Sequence, residues 1–215
     1  MLEKITTPSL HCKEELIKDL EQAAFTELMM KWFHDRYSTS KHLLTLYSIV
    51  KGLNAKRVVE VGFGRSTYVI ANAVAENGGK MYCCDRYDYT PLLTDREKKV
   101  ITFVQGDAKK LLKTVSGGFD FVFLDYLSSR ERSADSCYKA MCRFLELTKQ
   151  NGVMAIHDTF EEKYNAKDAM KNMRKNKTVE CMTLPYNYGL GLIRKLSKSE
   201  HGTIKDVFEK KEDSK

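Results

Sequence analysis

The chain has 215 residues, 42% of them hydrophobic and 10% aromatic, which is enough to build one full core and argues against a disordered chain or a solenoid. No run approaches the eighteen or so apolar residues of a membrane span and the N-terminus lacks a basic-then-apolar signal pattern, so a cytoplasmic protein with no membrane partner is expected. The net charge of +7 sits in the middle of the chain: residues 1–50 carry 6 basic and 7 acidic side chains, whereas Arg96 to Lys113 hold six basic against two acidic. Such a segment could meet an acidic substrate or nucleic acid, but no arginine–aromatic interleaving accompanies it, and a solvated lysine-rich face is the expectation. The six cysteines show no Cys-x-x-Cys pair or metal spacing and read as free thiols.

Residues 1–53 read as an N-terminal helical cap. Leu16, Ile17, Leu20, Ala23 and Ala24 recur at helical spacing, Leu28, Met29, Trp32 and Phe33 continue the pattern, and Leu43, Leu44, Leu46, Tyr47 and Val50 form a further stripe. The polar stretch Asp35 to Ser40 predicts a bend between them. Trp32, Tyr37 and His42 are candidates to line a pocket beneath this cap, or else ordinary core and surface groups.

Residues 54–195 read as an α/β domain. Val58 to Val61 form a short β-branched run, the pattern of a strand buried on both faces. Gly62 and Gly64 then predict a tight turn where a ligand can approach bare backbone, and Ser66 or Thr67 can cap a helix whose residues Val69, Ile70, Ala73 and Val74 share one face. Glu60 can accept hydrogen bonds from this turn and from an ammonium group. A dinucleotide fingerprint would need Gly or Ala where Thr67 stands, which argues against a nicotinamide oxidoreductase.

A second strand, Lys80 to Cys84, runs into Asp85, placed to accept both ribose hydroxyls of a nucleoside; Tyr87 and Tyr89 could flank it. The third strand, Val100 to Val104, leads to Gly106-Asp107-Ala108, where Asp107 can cap the next helix. Phe119 to Leu124 is an apolar fourth strand ending at Asp125. Asn151-Gly152 reads as a helix terminus before a fifth strand, Val153 to Ile156, that ends in His157-Asp158-Thr159. Open α/β sheets bind ligands beyond the carboxyl ends of their strands, so these acidic strand ends should converge on one crevice. Thr178 to Leu184 and Tyr188 to Arg194 read as a terminal antiparallel hairpin, and residues 196–215 as a polar, frayed tail.

The pattern Glu60-x-Gly62-x-Gly64 resembles motif I of the class I S-adenosylmethionine-dependent methyltransferases, whose glycine turn lies against the methionine part of the cofactor. Ile156-His157-Asp158-Thr159 and Gly189-Leu190-Gly191-Leu192-Ile193 look like the small-molecule O-methyltransferase branch that includes sugar and macrolide methyltransferases and cephalosporin hydroxylase-like proteins. The resemblance covers roughly residues 40–195. It implies a Rossmann-like, doubly wound seven-stranded α/β sheet, mostly parallel with a C-terminal antiparallel hairpin, and S-adenosylmethionine as cofactor. The implied cofactor-binding residues are Glu60, Gly62, Gly64, Ser66, Thr67, Asp85, Asp107, Ala108 and Asp125, with Asp107 facing the adenine. A small-molecule acceptor, its hydroxyl the methylated group, would lie between the N-terminal helices, the loop Tyr126 to Arg132 and the hairpin around Tyr186 to Tyr188.

His157, Asp125 and Asp158 are the catalytic candidates, with His157 as base. Alternatively Asp125 and Asp158 could hold a divalent metal. Thr159 departs from the Asn or Asp that metal-dependent relatives resembling catechol O-methyltransferase carry there, so a metal is left open and is not indicated. The fourth strand lacks the Asp/Asn-Pro-Pro-Tyr motif of nucleic-acid base methyltransferases. Methylation of an RNA hydroxyl, and a non-catalytic module of the same fold, stay as alternatives.

Overall fold

The structure is a computed structural model that describes residues 25–35, 38–125, 133–160 and 165–197. The expected helix before residue 25, Tyr37, the loop Tyr126 to Arg132 and the tail beyond Ser197 lie outside them. Helix α1 spans Phe25–Phe33, and a short 3-10 turn, Ser38–His42, leads into α2, Leu43–Gly52. Then follow β1 (Arg57–Val61), α3 (Arg65–Glu76), β2 (Lys80–Asp85), α4 (Asp95–Lys98), β3 (Ile101–Gln105), α5 (Ala108–Thr114) and β4 (Phe119–Leu124). The chain closes with α6 (Ala134–Leu147), β5 (Thr148–His157), α7 (Ala166–Met173), β6 (Val179–Leu184) and β7 (Leu190–Lys195).

The seven strands form one sheet in the order β3-β2-β1-β4-β5-β7-β6. Neighbours from β3 through β5 pair in parallel, and β7 inserts antiparallel between β5 and β6. This is the expected doubly wound sheet with its terminal hairpin. Strand alternation divides the core: Val58, Phe121, Phe123 and Ala155 pack with Leu46, Val50, Ile70 and Val74 of α2 and α3. Val59, Val61, Val122, Leu124 and Ile156 face Leu111, Met141, Phe144 and Met170 of α5, α6 and α7. All six residues of β4 are buried, as befits the strand at the middle of the order, and each fully buried large side chain contributes roughly 1.5–3 kcal/mol.

Two local features depart from the sequence expectation, and a third, at Asp120, ties strands together. Helix α3 is buried all round from Ser66 to Val74 and not on one face, because Leu28 and Trp32 of α1 and Leu43 of α2 cover Tyr68 and Val69 on the side away from the sheet. Asn151-Gly152 does not end α6. It forms a bulge inside β5, with Asn151 at φ 62 and the β4–β5 register slipping between Phe119 and Phe121, and a Cβ on Gly152 would meet the Phe119 carbonyl at 2.9 Å. Asp120 starts β4 at the opposite sheet edge from the acidic strand ends. Its Oδ2 accepts from the backbone N–H groups of Lys56 and Arg57, and Oδ1 pairs with Lys149, tying β1, β4 and β5 together. Burial works against its charge, yet Lys149 and the two N–H groups win and hold its carboxyl below the usual range.

Candidate active site

The glycine turn is built from backbone. Gly62, at φ 100, donates its N–H to the Cys84 carbonyl at 2.9 Å, swinging the chain across the end of β2 in a conformation that favours glycine. Gly64 is the N-cap of α3, and its N–H donates to Thr67 Oγ1 at 3.0 Å. Ser66 is not a cap: its hydroxyl donates to Glu60 Oε1 at 2.6 Å, with Cys83 Sγ 3.7 Å from Oε2. Glu60 is completely buried, so its carboxyl braces the turn from beneath α3 instead of opening onto the crevice. Burial pushes its pKa up to about 8, with Ser66 and Thr67 pulling the other way.

Asp85 accepts from the Phe63 N–H at 3.1 Å on one oxygen and from the Tyr87 N–H at 3.2 Å on the other, so it anchors the turn it faces. Asp107 caps α5, accepting from the Lys110 N–H at 3.0 Å. Val61, Gly62, Cys84, Asp85, Arg86, Gly106, Asp107 and Ala108 line an open cleft whose cavity volume is about 40 Å³. Phe63 stacks on Tyr89 beside it, ring centres 4.8 Å apart, while Tyr87 is exposed. Sequence reasoning missed that Asp85 holds Phe63; the signal lay only in the spacing.

The other half of the crevice lies at the ends of β4 and β5. Asp125 donates its N–H to the Val61 carbonyl at 3.0 Å, which keeps it beside the glycine turn. His157 Nδ1 lies 2.9 Å from Asp125 Oδ1 and 3.1 Å from Asp158 Oδ1, so one imidazole N–H is shared by two carboxylates. Asp158 achieves this in the left-handed region, φ 63, an uncommon conformation for a non-glycine residue. His42 packs edge-on against His157 at 5.1 Å and over Tyr186 at 4.9 Å. Its Nε2 donates to the Asn187 carbonyl at 3.1 Å, in a connection where Asn187, Tyr188 and Gly189 all have positive φ.

Charge sorts the two rings. Burial opposes protonation of His157, but Asp125 and Asp158 outweigh it, and its pKa is raised. Burial, then the neighbouring His157, lowers that of His42 to about 4, so His42 is neutral at ordinary pH. The Asn187 carbonyl also faces His157, without closing a hydrogen bond to Nε2, which has no partner. Trp32 is buried and lines no open surface. Among the described residues no cluster of three or more His, Cys, Asp or Glu side chains has metal-holding geometry, and no helix is long and apolar enough to cross a membrane.

A larger open groove, about 450 Å³, lies between α2 and strands β5, β7 and β6, on Ile49, Leu53, Val153, Met182 and Leu192. Its charged residues Glu180 and Arg194 pair with each other at 3.0 Å, and it holds none of the carboxylates that end the parallel strands. Size favours that groove, and chemistry favours the strand-end crevice. The crevice is the candidate active site, because carboxylates, imidazoles and a glycine turn meet there.

Residues 59–159 match a family model described as a methyltransferase domain. No curated protein matches the chain in sequence. Among solved structures, an O-methyltransferase from Bacillus cereus in complex with S-adenosylhomocysteine superposes with a TM-score of 0.61 at 15% identity, over 90% of this chain and 94% of that one. A methyltransferase from Podospora anserina, also bound to S-adenosylhomocysteine, gives 0.59 at 12% identity over 92% and 100%. A protein from Corynebacterium glutamicum gives 0.62 at 13% identity over 91% and 94%. The sheet order is that of these methyltransferase folds. The match over residues 59–159 and these superpositions give the chain a methyltransferase-like fold.

Proposed function

We propose that the protein transfers a methyl group from S-adenosylmethionine to a hydroxyl of a small-molecule acceptor. The observation that carries this reading is the pairing of one crevice's two halves: the cleft at Gly62, Asp85 and Asp107, and beside it the half-buried Asp125 with the buried His157 and Asp158. The donor set suits a nucleoside. Asp85 offers acceptor oxygens to a ribose, Asp107 and Ala108 line the same cleft where a base would lie, and a Cβ added at Gly64 would meet no atom within 4 Å. Gly62, Gly64 and Asp125 would hold the methionine part, with Glu60, Ser66 and Thr67 acting through the turn they brace.

When bound, the cofactor supplies a methyl group already activated by its sulfonium charge, so the chain's residues need to align the acceptor and remove one proton. His157 takes that proton at Nε2, while Asp125 and Asp158 fix the ring through Nδ1 and stabilise the imidazolium that forms. His42 and the Tyr186 to Tyr188 connection close the site from the cap side and keep water from the base. Titration calorimetry with S-adenosylmethionine, S-adenosylhomocysteine and NAD tests the reading. Binding of the first two alone is expected; NAD binding of comparable strength would contradict it.

A further inference from the structure

Arg65 stands where helix physics disfavours it. It is the first residue of α3, directly after Gly64, and a cation there faces the positive end of the helix dipole. Its side chain is nonetheless only 10% exposed. Nη1 lies 2.6 Å from Asp35 Oδ2 and 3.2 Å from Ser40 Oγ, and the guanidinium carbon sits 5.5 Å from the centre of the Trp32 ring. Trp32 is 1% exposed and its indole N–H has no hydrogen-bond partner, although a buried indole N–H usually finds one. The Arg65 guanidinium thus lies over the Trp32 ring and meets both the Ser40 hydroxyl and the carboxylate of Asp35, which is itself 27% exposed.

The placement of these donors follows the crevice. The nucleoside cleft opens on one side of the Gly62 to Gly64 turn, and Asp125 and His157 lie on the other. Ser40 and His42 belong to the same short turn, and His42 rests on His157. A ligand with its nucleoside against Asp85 and its reacting centre near Asp125 therefore has its remaining end beside Gly64, under the Ser38–His42 turn. Arg65 brings a cation to that place.

Resting on the cofactor reading above, we infer that Arg65, with Ser40 and Trp32, is the receptor for the carboxylate of the methionyl end, and that Asp35 occupies the receptor until that carboxylate replaces it. A guanidinium matches a carboxylate with two parallel N–H bonds, and its low exposure strengthens them. The exchange removes one tie between the end of α1 and the start of α3, so the cap is linked to occupancy of the site.

Calorimetry with two ligands tests this: S-adenosylhomocysteine, and 5′-methylthioadenosine, which keeps the nucleoside and thioether but lacks the amino-acid end. Arg65→Gln should weaken S-adenosylhomocysteine by about tenfold or more and leave methylthioadenosine within about twofold. Asp35→Asn, which keeps Arg65 and removes the competing carboxylate, should tighten S-adenosylhomocysteine severalfold and leave methylthioadenosine unchanged. Equal losses for both ligands in Arg65→Gln, or an unchanged affinity for S-adenosylhomocysteine, would overturn the assignment. If Arg65→Gln does not fold, weaker S-adenosylhomocysteine binding by Asp35→Asn does the same. Wild-type protein that binds neither ligand would bring down the cofactor reading itself.

Discussion

At the ends of β1 to β3 the polar groups that shape the cleft bond to near neighbours in the chain: Gly64 to Thr67, Asp107 to Lys110, Asp85 to Tyr87, and at the longest Phe63 to Asp85, 22 residues apart. At the ends of β4 and β5 the bonds span the fold, and His42 reaches Asn187 across 145 residues. The first half is made of turns and caps that form with their own strand and helix. The second exists only once the cap, strand β5 and the terminal hairpin have met, and there burial and charge tune side chains instead of backbone. The two halves should therefore fail separately.

The largest expected effect is on the local half. A Cβ at Gly64 meets nothing within 4 Å and its φ of −171 suits any residue, so Gly64→Val should keep the fold and lose cofactor affinity by about 10²-fold or more, because the side chain takes ligand space. Gly62→Val, at φ 100, should lose both binding and thermal stability. Circular dichroism beside a binding assay separates these outcomes, and full affinity in Gly64→Val would make the turn a structural feature only.

Next comes the long-range half. On an acceptor found by screening hydroxylated compounds, His157→Ala should lower turnover by about 10²-fold, and a chelator should leave the wild type unaffected. Loss of activity with chelator and recovery with magnesium would recast Asp125 and Asp158 as metal ligands.

A smaller effect sharpens the role of charge. The base must be neutral, and Asp125 helps to raise the pKa of His157, so activity should rise with pH through that raised value. Asp125→Asn should move this limb to lower pH, beyond any fall in rate. A limb that stays in place would detach His157 from the profile.

The smallest expected effect concerns Glu60. Its carboxyl keeps a proton up to about pH 8 in the folded chain, whereas an unfolded glutamate releases it near pH 4.5, so this group costs stability progressively as pH rises between those values. Glu60→Gln keeps an acceptor for Ser66 without that cost. Its Tm should exceed the wild type's by about a few degrees at pH 8, with the gap closing toward pH 5. Comparing the variants at each pH cancels His42, whose lowered pKa acts oppositely and removes stability as pH falls below about 6.5.

What could be read from the sequence follows the same division. The β-branched run to Val61, the glycine pair and the cap at Asp107 are written in neighbouring residues, and strand ends carrying Asp85, Asp125 and Asp158 follow from them by topology. Glu60 was legible as a carboxylate at the turn but not as an inward-facing one, since that depends on Ser66 reaching back beneath α3. His42 read only as a candidate to line a pocket or an ordinary core group, because the partners that place it come from β5 and the hairpin. Asn151-Gly152 misled for a related reason: the pair that ends a helix also makes a bulge, and only pairing with β4 decides between them.

The separation of the halves is tested most directly by S-adenosylhomocysteine affinity in two variants measured together. Asp85→Ala removes the carboxylate placed for the ribose and should weaken binding about tenfold or more, while His157→Ala should bind within about twofold of the wild type. An unchanged affinity in Asp85→Ala, or a loss in His157→Ala as large as that in Asp85→Ala, would contradict the account.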